Sequence, residues 1–138
     1  MEQVTHSREF VLQLDYLSFF NYFKIDYHTI MLPSQHIKPK YKLILTYNIK
    51  PDKQDQYYRY MLGDFVPAIQ KMGVYMHMAW NMAYGDYPMR KIEFVTETAD
   101  ALQQLFLSTE WEEMETKLNL YISDYERKVV DYRNGFQL

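Results

Sequence analysis

Between Tyr41 and Arg133 the spacing of apolar residues switches back and forth between a period of two and one of about 3.6, and that succession admits few folds. Residues 41–49 (YKLILTYNI) set Leu43, Leu45, Tyr47 and Ile49 against Lys42, Ile44, Thr46 and Asn48, the pattern of a half-buried strand. Pro51 and Asp52 then open a helix. Proline gives up only an N–H that the first turn leaves unused, and aspartate suits the positive end of the helix dipole. Apolar residues recur at Tyr57/Tyr58, Met61/Leu62, Phe65/Val66, Ile69 and Met72, on one helical face. Pro67 lies inside this run, and its ring must clash with the Gly63 carbonyl, so a kink or break is expected there. Gly73 is placed to cap the helix C-terminus.

Residues 74–83 alternate again, with Val74, Met76, Met78, Trp80 and Met82 against Tyr75, His77, Ala79, Asn81 and Ala83. The run Tyr84-Gly-Asp-Tyr-Pro88 supplies a turn and residues 89–97 return as a third strand, which makes a hairpin. Thr98 caps a helix over residues 99–107, and Thr109 with Glu112 has the spacing of a capping box. That second helical piece runs through Trp111, Met114 and Leu118 toward Tyr121/Ile122, and residues 125–133 form a last strand stopped by Asn134-Gly135. The order is βαββαβ: an α+β, ferredoxin-like domain with a four-stranded antiparallel sheet and its helices on one face.

Residues 41–138 resemble the dimeric α+β barrel superfamily of antibiotic-biosynthesis monooxygenases, stress-responsive A/B-barrel proteins and NIPSNAP-like proteins. The matching features are the opening strand followed by Ile49-Lys-Pro-Asp52, the helix exit Val66-Pro-Ala-Ile-Gln-Lys-Met-Gly73, and the restart Ser108-Thr-Glu-Trp111. The resemblance implies two sheets packed across a two-fold axis. The residues agree with this, because the face carrying Ile44, Thr46, Asn48, Tyr75, His77, Asn81, Glu93 and Val95 is too apolar for open water and too polar for a sealed core. A homodimer is therefore expected.

The first 40 residues differ from the rest. They end in the loop-like run Leu32-Pro-Ser-Gln-His-Ile-Lys-Pro-Lys40 and lack clean periodicity. They are expected to be a poorly ordered or adventitious extension, with Met31 as an alternative start. The other reading is a short helix over residues 9–23 that docks on the domain or lies on a membrane surface, although it lacks the basic polar face an interfacial helix carries. Its apolar run, FVLQLDYLSFFNYF, is broken by Asp15 and Asn21 and is too short for the ~20 residues of a membrane span. It has neither the basic lead nor the cleavage site of a secretory signal. A cytoplasmic protein without a membrane span is expected.

Composition narrows the chemistry. A net charge of −3 offers no basic excess to displace counterions from a phosphate backbone, so nucleic acid is not an expected partner. The absence of cysteine removes disulfides and thiolate chemistry, and only 4 glycines, none in a phosphate-binding pattern, leave no nucleotide cradle. His6, His28 and His36 all precede the domain with no paired-ligand spacing, so no metal site is expected. No cofactor is called for.

Two constellations remain as candidates. His77 lies mid-strand on the mixed face, and in one even hairpin register Glu93 stands directly opposite. Such a pair can act as a general base or orient an axial haem ligand, although a hydrogen-bonded interface histidine is the more ordinary reading. Asn48, Tyr75, Asn81, Tyr84, Tyr47 and Trp80 are the candidate ligand-binding set. Some cofactor-free barrel monooxygenases use Trp, Asn and Tyr to deprotonate a phenolic substrate, and the resemblance brings that chemistry into view. Trp80 and Asn81, however, face opposite ways on a regular strand and share a pocket only if a bulge re-aims one of them. Core packing is the simpler reading for Trp80, for the Met76/Met78/Met82 stripe, and for Tyr57 and Tyr58 beside the helix stripe, with Tyr60 falling away from it. The acidic run Glu110, Glu112, Glu113, Glu115 reads as a solvated face near a helix start. Two functions follow. One is a small-ligand-binding or accessory barrel taking a small apolar or aromatic ligand; the other is a cofactor-independent monooxygenase or isomerase acting on an aromatic or polyketide-like compound, with haem degradation a third and weaker choice.

Overall fold

The alternating segments become four strands: β1 (Tyr41–Ile49), β2 (Tyr75–Asn81), β3 (Arg90–Thr96) and β4 (Ile122–Asp131). They pair antiparallel throughout, in the order β2-β3-β1-β4. The computed structural model describes residues 37–81, 90–135 and 137. The expectations for residues 1–36, and for the turn carrying Tyr84, lie outside the described residues. A single 3-10 turn (Pro51–Lys53) leads into α1 (Gln54–Tyr60), a wider π-turn (Met61–Phe65) and α2 (Val66–Gln70), while α3 (Ala99–Leu107) and α4 (Thr109–Leu118) fill the second crossover. This is the ferredoxin-like α+β arrangement that the changes of period predict. Its core lies between helices and sheet, with Tyr57, Phe65, Ile69, Leu105 and Trp111 against Leu43, Leu45, Ile92 and Phe94. Among the described residues no helix is long and apolar enough to cross a membrane.

Pro67 has the effect expected of it, one turn earlier than its own position. It has no N–H to offer the Gly63 carbonyl, and the chain widens the preceding turn so that the Val66 N–H bonds the Met61 carbonyl five residues back. The extra residue keeps Met61, Phe65 and Val66 all fully buried. Gly73 follows at φ +83°, a left-handed conformation that suits a residue without Cβ.

Two boundaries move. The cap of α4 is Ser108, not Thr109: its Oγ accepts the Trp111 N–H at 3.1 Å and donates to the Leu105 carbonyl at 2.6 Å, closing one helix and opening the next. Ser108→Ala should therefore cost about 1 kcal/mol in urea denaturation, and Thr109→Ala less than about 0.5 kcal/mol. β4 begins three residues earlier than expected because Ile122 pairs with Ile49 in the sheet instead of extending α4. A bulge then follows at Asp124, whose φ of 55° lies in the left-handed region that Asp tolerates better than most residues.

Candidate functional site

The site is shaped by a bulge in β2. Met76 pairs with Phe94 and Met78 with Glu93, so His77 is the extra residue. Because strand side chains alternate, one inserted residue exchanges the faces of everything after it. Ala79, opposite Ile92, now packs under the helices, and Trp80, opposite Lys91, points to the far face. This corrects the placement of Trp80 in the helix-side core. The His77–Glu93 pairing is altered in register only: Glu93 stands opposite Met78, with His77, the extra residue of the bulge, on the same face beside it.

On the far face Glu93 is the centre of a buried charge cluster. Its carboxylate forms ion pairs with Lys42 Nζ and Lys91 Nζ, each at 2.9 Å, and accepts the Trp80 Nε1–H at 2.9 Å. Lys42 Nζ also donates to the carbonyls of Arg133 (2.9 Å) and Gly135 (3.1 Å). Burial pushes the Lys91 ammonium down to about 8, against the opposing pull of Glu93. His77 sits beside this cluster, its ring edge-on to Tyr132 with centroids 6.0 Å apart. Burial lowers the His77 pKa, Glu93 raises it and Lys42 lowers it further, so the imidazole is neutral at pH 7. Tyr75 is half-buried on the same face, opposite Val95.

On the helix side, a cavity of about 320 Å³ opens where β1 meets the first crossover. Ile49 and Pro51 give it apolar wall, and Lys50, Gln54, Tyr58, Asn81 and Arg90 add polar groups. Asn81 and Arg90 are cross-strand partners, which places an amide beside a guanidinium at the cavity edge. Arg90 is 5% exposed, stacks over the Tyr58 ring with its Cζ 5.6 Å from the centroid, and donates from Nη2 to the Tyr58 hydroxyl. Beneath it the hydroxyls of Tyr47 and Tyr57 hydrogen-bond to each other. Burial, with Tyr57 adding to it, holds the Tyr47 phenol protonated well above its ordinary range. Tyr47 is thus a core residue under the pocket floor, and it is fully buried.

The candidates therefore fall into separate groups. Asn81 lines the cavity, while Trp80, Glu93 and His77 gather on the opposite face of the sheet. Asn48 belongs to neither: its amide donates to Asp124 Oδ2 at 2.9 Å and supports the β4 bulge. Tyr84 lies outside the described residues. Tyr57, Tyr58 and Tyr60 are all buried, so Tyr60 does not fall away from the core; its hydroxyl donates to the Met114 carbonyl at 2.8 Å. Glu110, Glu112 and Glu113 are exposed, whereas Glu115 accepts from Tyr125 at 2.6 Å and Arg127 at 3.1 Å. Sequence reasoning missed Lys42, Lys91 and Arg90. The i, i+2 pair Lys91/Glu93 on an otherwise apolar strand was an available signal for the first two. Arg90 and Tyr58 meet only in three dimensions.

Element order, sheet order and one-sided helices together define a ferredoxin-like α+β domain. No protein-family model matches this sequence, and a search of curated proteins finds no relative. Solved structures do share the fold. A candidate antibiotic biosynthesis monooxygenase from Caulobacter crescentus CB15 is similar with a TM-score of 0.53 and 11% identity, over 75% of this chain and 98% of that one. An uncharacterized NIPSNAP domain protein from Burkholderia xenovorans gives a TM-score of 0.52 and 12% identity, over 68% and 95% of the two chains. A NIPSNAP family protein from Agrobacterium tumefaciens str. C58 gives a TM-score of 0.50 and 15% identity, over 72% and 90%. At such identities the likeness is one of fold.

Proposed function

We propose that this protein is a small-ligand-binding α+β barrel protein, and that its ligand occupies the cavity at the mouth of the helix side. The observation that carries this is a cavity of about 320 Å³ in which Asn81 and the Arg90–Tyr58 pair meet apolar wall from Ile49 and Pro51. Small-molecule sites combine apolar surface with a few convergent polar groups in this way. An aromatic compound with an oxygen substituent suits it, its ring against Ile49 and Pro51 and its oxygen toward the Asn81 amide. Titration of the 15N-labelled chain with 1-naphthol and salicylate should shift amide signals of Gln54, Asn81 and Arg90. Asn81→Ala should weaken binding about tenfold, the worth of one good hydrogen bond. Shifts elsewhere, or an affinity unchanged by Asn81→Ala, would remove the reading.

A cofactor-independent monooxygenase or isomerase is the second reading; His77 would be its base for a substrate on the far face of the sheet, since the imidazole stands beside Tyr132 and not at the cavity. Dioxygen uptake or isomerised product in the same samples, lost in His77→Ala with ligand affinity retained, supports it. Turnover that survives His77→Ala excludes it.

A further inference from the structure

β4 is an edge of the sheet, with β1 as its neighbouring strand among the described residues. The Tyr132 N–H bonds the Lys40 carbonyl at 2.9 Å, so the alternate residues Val130, Lys128 and Glu126 turn their main-chain groups toward β1, opposite Lys42, Ile44 and Thr46. Arg127, Val129 and Asp131 therefore turn theirs outward. The Gln137 side chain agrees with this. Its Nε2 donates to the Asp131 carbonyl at 3.0 Å and its Oε1 accepts the Arg133 N–H at 3.0 Å, as a neighbouring strand would. Gln137 closes the edge at that end, and the bulge at Asp124 ends it at the other. Between them Glu126, Arg127, Lys128, Val129 and Asp131 are all exposed, Val129 at 45%. The opposite edge differs: no residue of β2 is exposed, and the His77 bulge interrupts it.

An open, regular edge with a β-branched apolar residue at its middle is a template for another strand. Charge says which strand fits. A second copy of β4, antiparallel across a two-fold axis, bonds where outward groups meet outward groups, so the axis passes through a residue. Through Arg127, Lys128 or Asp131 it sets that charge against itself, and through Val130 it sets Arg127 against Arg133. Through Val129 it sets Val129 on Val129, Arg127 opposite Asp131 twice, Lys128 opposite Val130 and Glu126 opposite Tyr132. Of these registers it is the one with no like charges face to face, and it forms about six main-chain hydrogen bonds. The side chains can answer it. Arg127 gives Nη1 to Glu115 and keeps further N–H donors, and the Asp131 carboxylate has no ion pair among the described residues. The far face of the sheet has less to offer a second copy, because Ile44, Trp80 and Val95 are 2%, 4% and 0% exposed within the single chain.

We propose that two copies of this chain pair edge to edge through β4, centred on Val129, with Arg127 of each copy against Asp131 of the other. The two sheets then join into one, with the helices of both copies on the same side. This is a different dimer from the face-to-face pair that the sequence leads one to expect. The contact is short and its ion pairs stay near water, so the dimer is weak and depends on concentration.

Sedimentation of the full chain over a range of concentrations should show the mass rise from 16.8 kDa toward twice that value. Val129→Pro removes an outward N–H and no bond to β1, and it should hold the chain at single mass with its circular dichroism unchanged. Should that variant fail to fold, Val129→Lys sets charge against charge at an exposed position and should raise the dissociation constant at least about tenfold. The chain has no cysteine, so an introduced one reads the register. Directly opposed, hydrogen-bonded residues have Cα atoms about 5.5 Å apart, within reach of a disulfide. Oxidised Val129→Cys should therefore give a covalent dimer, and Lys128→Cys should not. A single-chain mass at every concentration, a dimer that persists in folded Val129→Pro or Val129→Lys, or a dimer in which Val129→Cys fails to cross-link overturns the proposal.

Discussion

Glu93→Ala is expected to remove about 3–5 kcal/mol of stability at neutral pH, the cost of leaving buried charge without its counter-ion. Both Lys42 and Lys91 lose their carboxylate at once, and each is fully buried. A domain of this kind has about 5–15 kcal/mol in total, so the variant should be partly unfolded or close to it. Glu93→Gln should be nearly as damaging despite its similar size, which separates charge from packing. Lys42→Met/Glu93→Leu/Lys91→Met, which removes the whole cluster, should restore much of the loss, because well-packed apolar groups of similar volume can match a buried ion network. Urea denaturation of the variants decides this, and a loss below about 1 kcal/mol for Glu93→Ala would contradict the cluster.

The same cluster sets a pH signature. The folded Lys91 pKa of about 8 lies below its ordinary 10.5, so between those values the unfolded chain binds more protons and stability rises with pH. Tyr47 and Tyr60 act in the opposite sense: burial raises both folded pKa values above the ordinary 10.0, so stability falls as pH rises beyond that point. In Glu93→Ala the carboxylate that holds up the Lys91 pKa is gone, and the deficit at pH 7 should shrink on raising the pH to about 9.

Phe65→Ala should cost a comparable amount, about 3–5 kcal/mol, for a different reason. Phe65 is fully buried in the π-turn, with ring centroids 6.1 Å from Tyr60, 6.2 Å from Phe94 and 5.7 Å from Trp111. It therefore joins the first crossover, the sheet and α4, and truncation leaves a cavity where three elements meet. Phe65→Leu keeps most of the volume and should lose less. Unfolding followed by far-UV circular dichroism and by tryptophan fluorescence should shift together. A destabilisation below about 1 kcal/mol would mean that the three elements repack around the gap.

Much of the fold was legible because it rests on local periodicity. Leu43, Leu45 and Tyr47 face the helices as their alternation requires, Gly73 ends the first crossover, and Thr98 caps α3 by accepting the Ala101 N–H at 3.2 Å. Tyr121 and Ile122 were misplaced because an apolar pair after a helix suits either one more turn or the start of a strand. The site was legible only in part. Asn81 and Glu93 were both among the candidate residues, and the structure adds Lys42, Lys91 and Trp80 as the direct partners of Glu93, which alternation alone does not show.

The order of elements, the one-sided helices and the position of the proline adjustment were therefore determined by sequence alone, because each depends on residues within a turn or two of one another. Which face Trp80 and Asn81 take was decided by tertiary structure. A bulge is a mismatch in residue count between two paired strands, and neither β2 nor β3 by itself records that His77 is the one left over. The burial of three charged residues on the far face was decided in the same way. Alternation assigns Lys42, Lys91 and Glu93 to one side of the sheet, but only the packed chain shows them fully buried there, bound to one another.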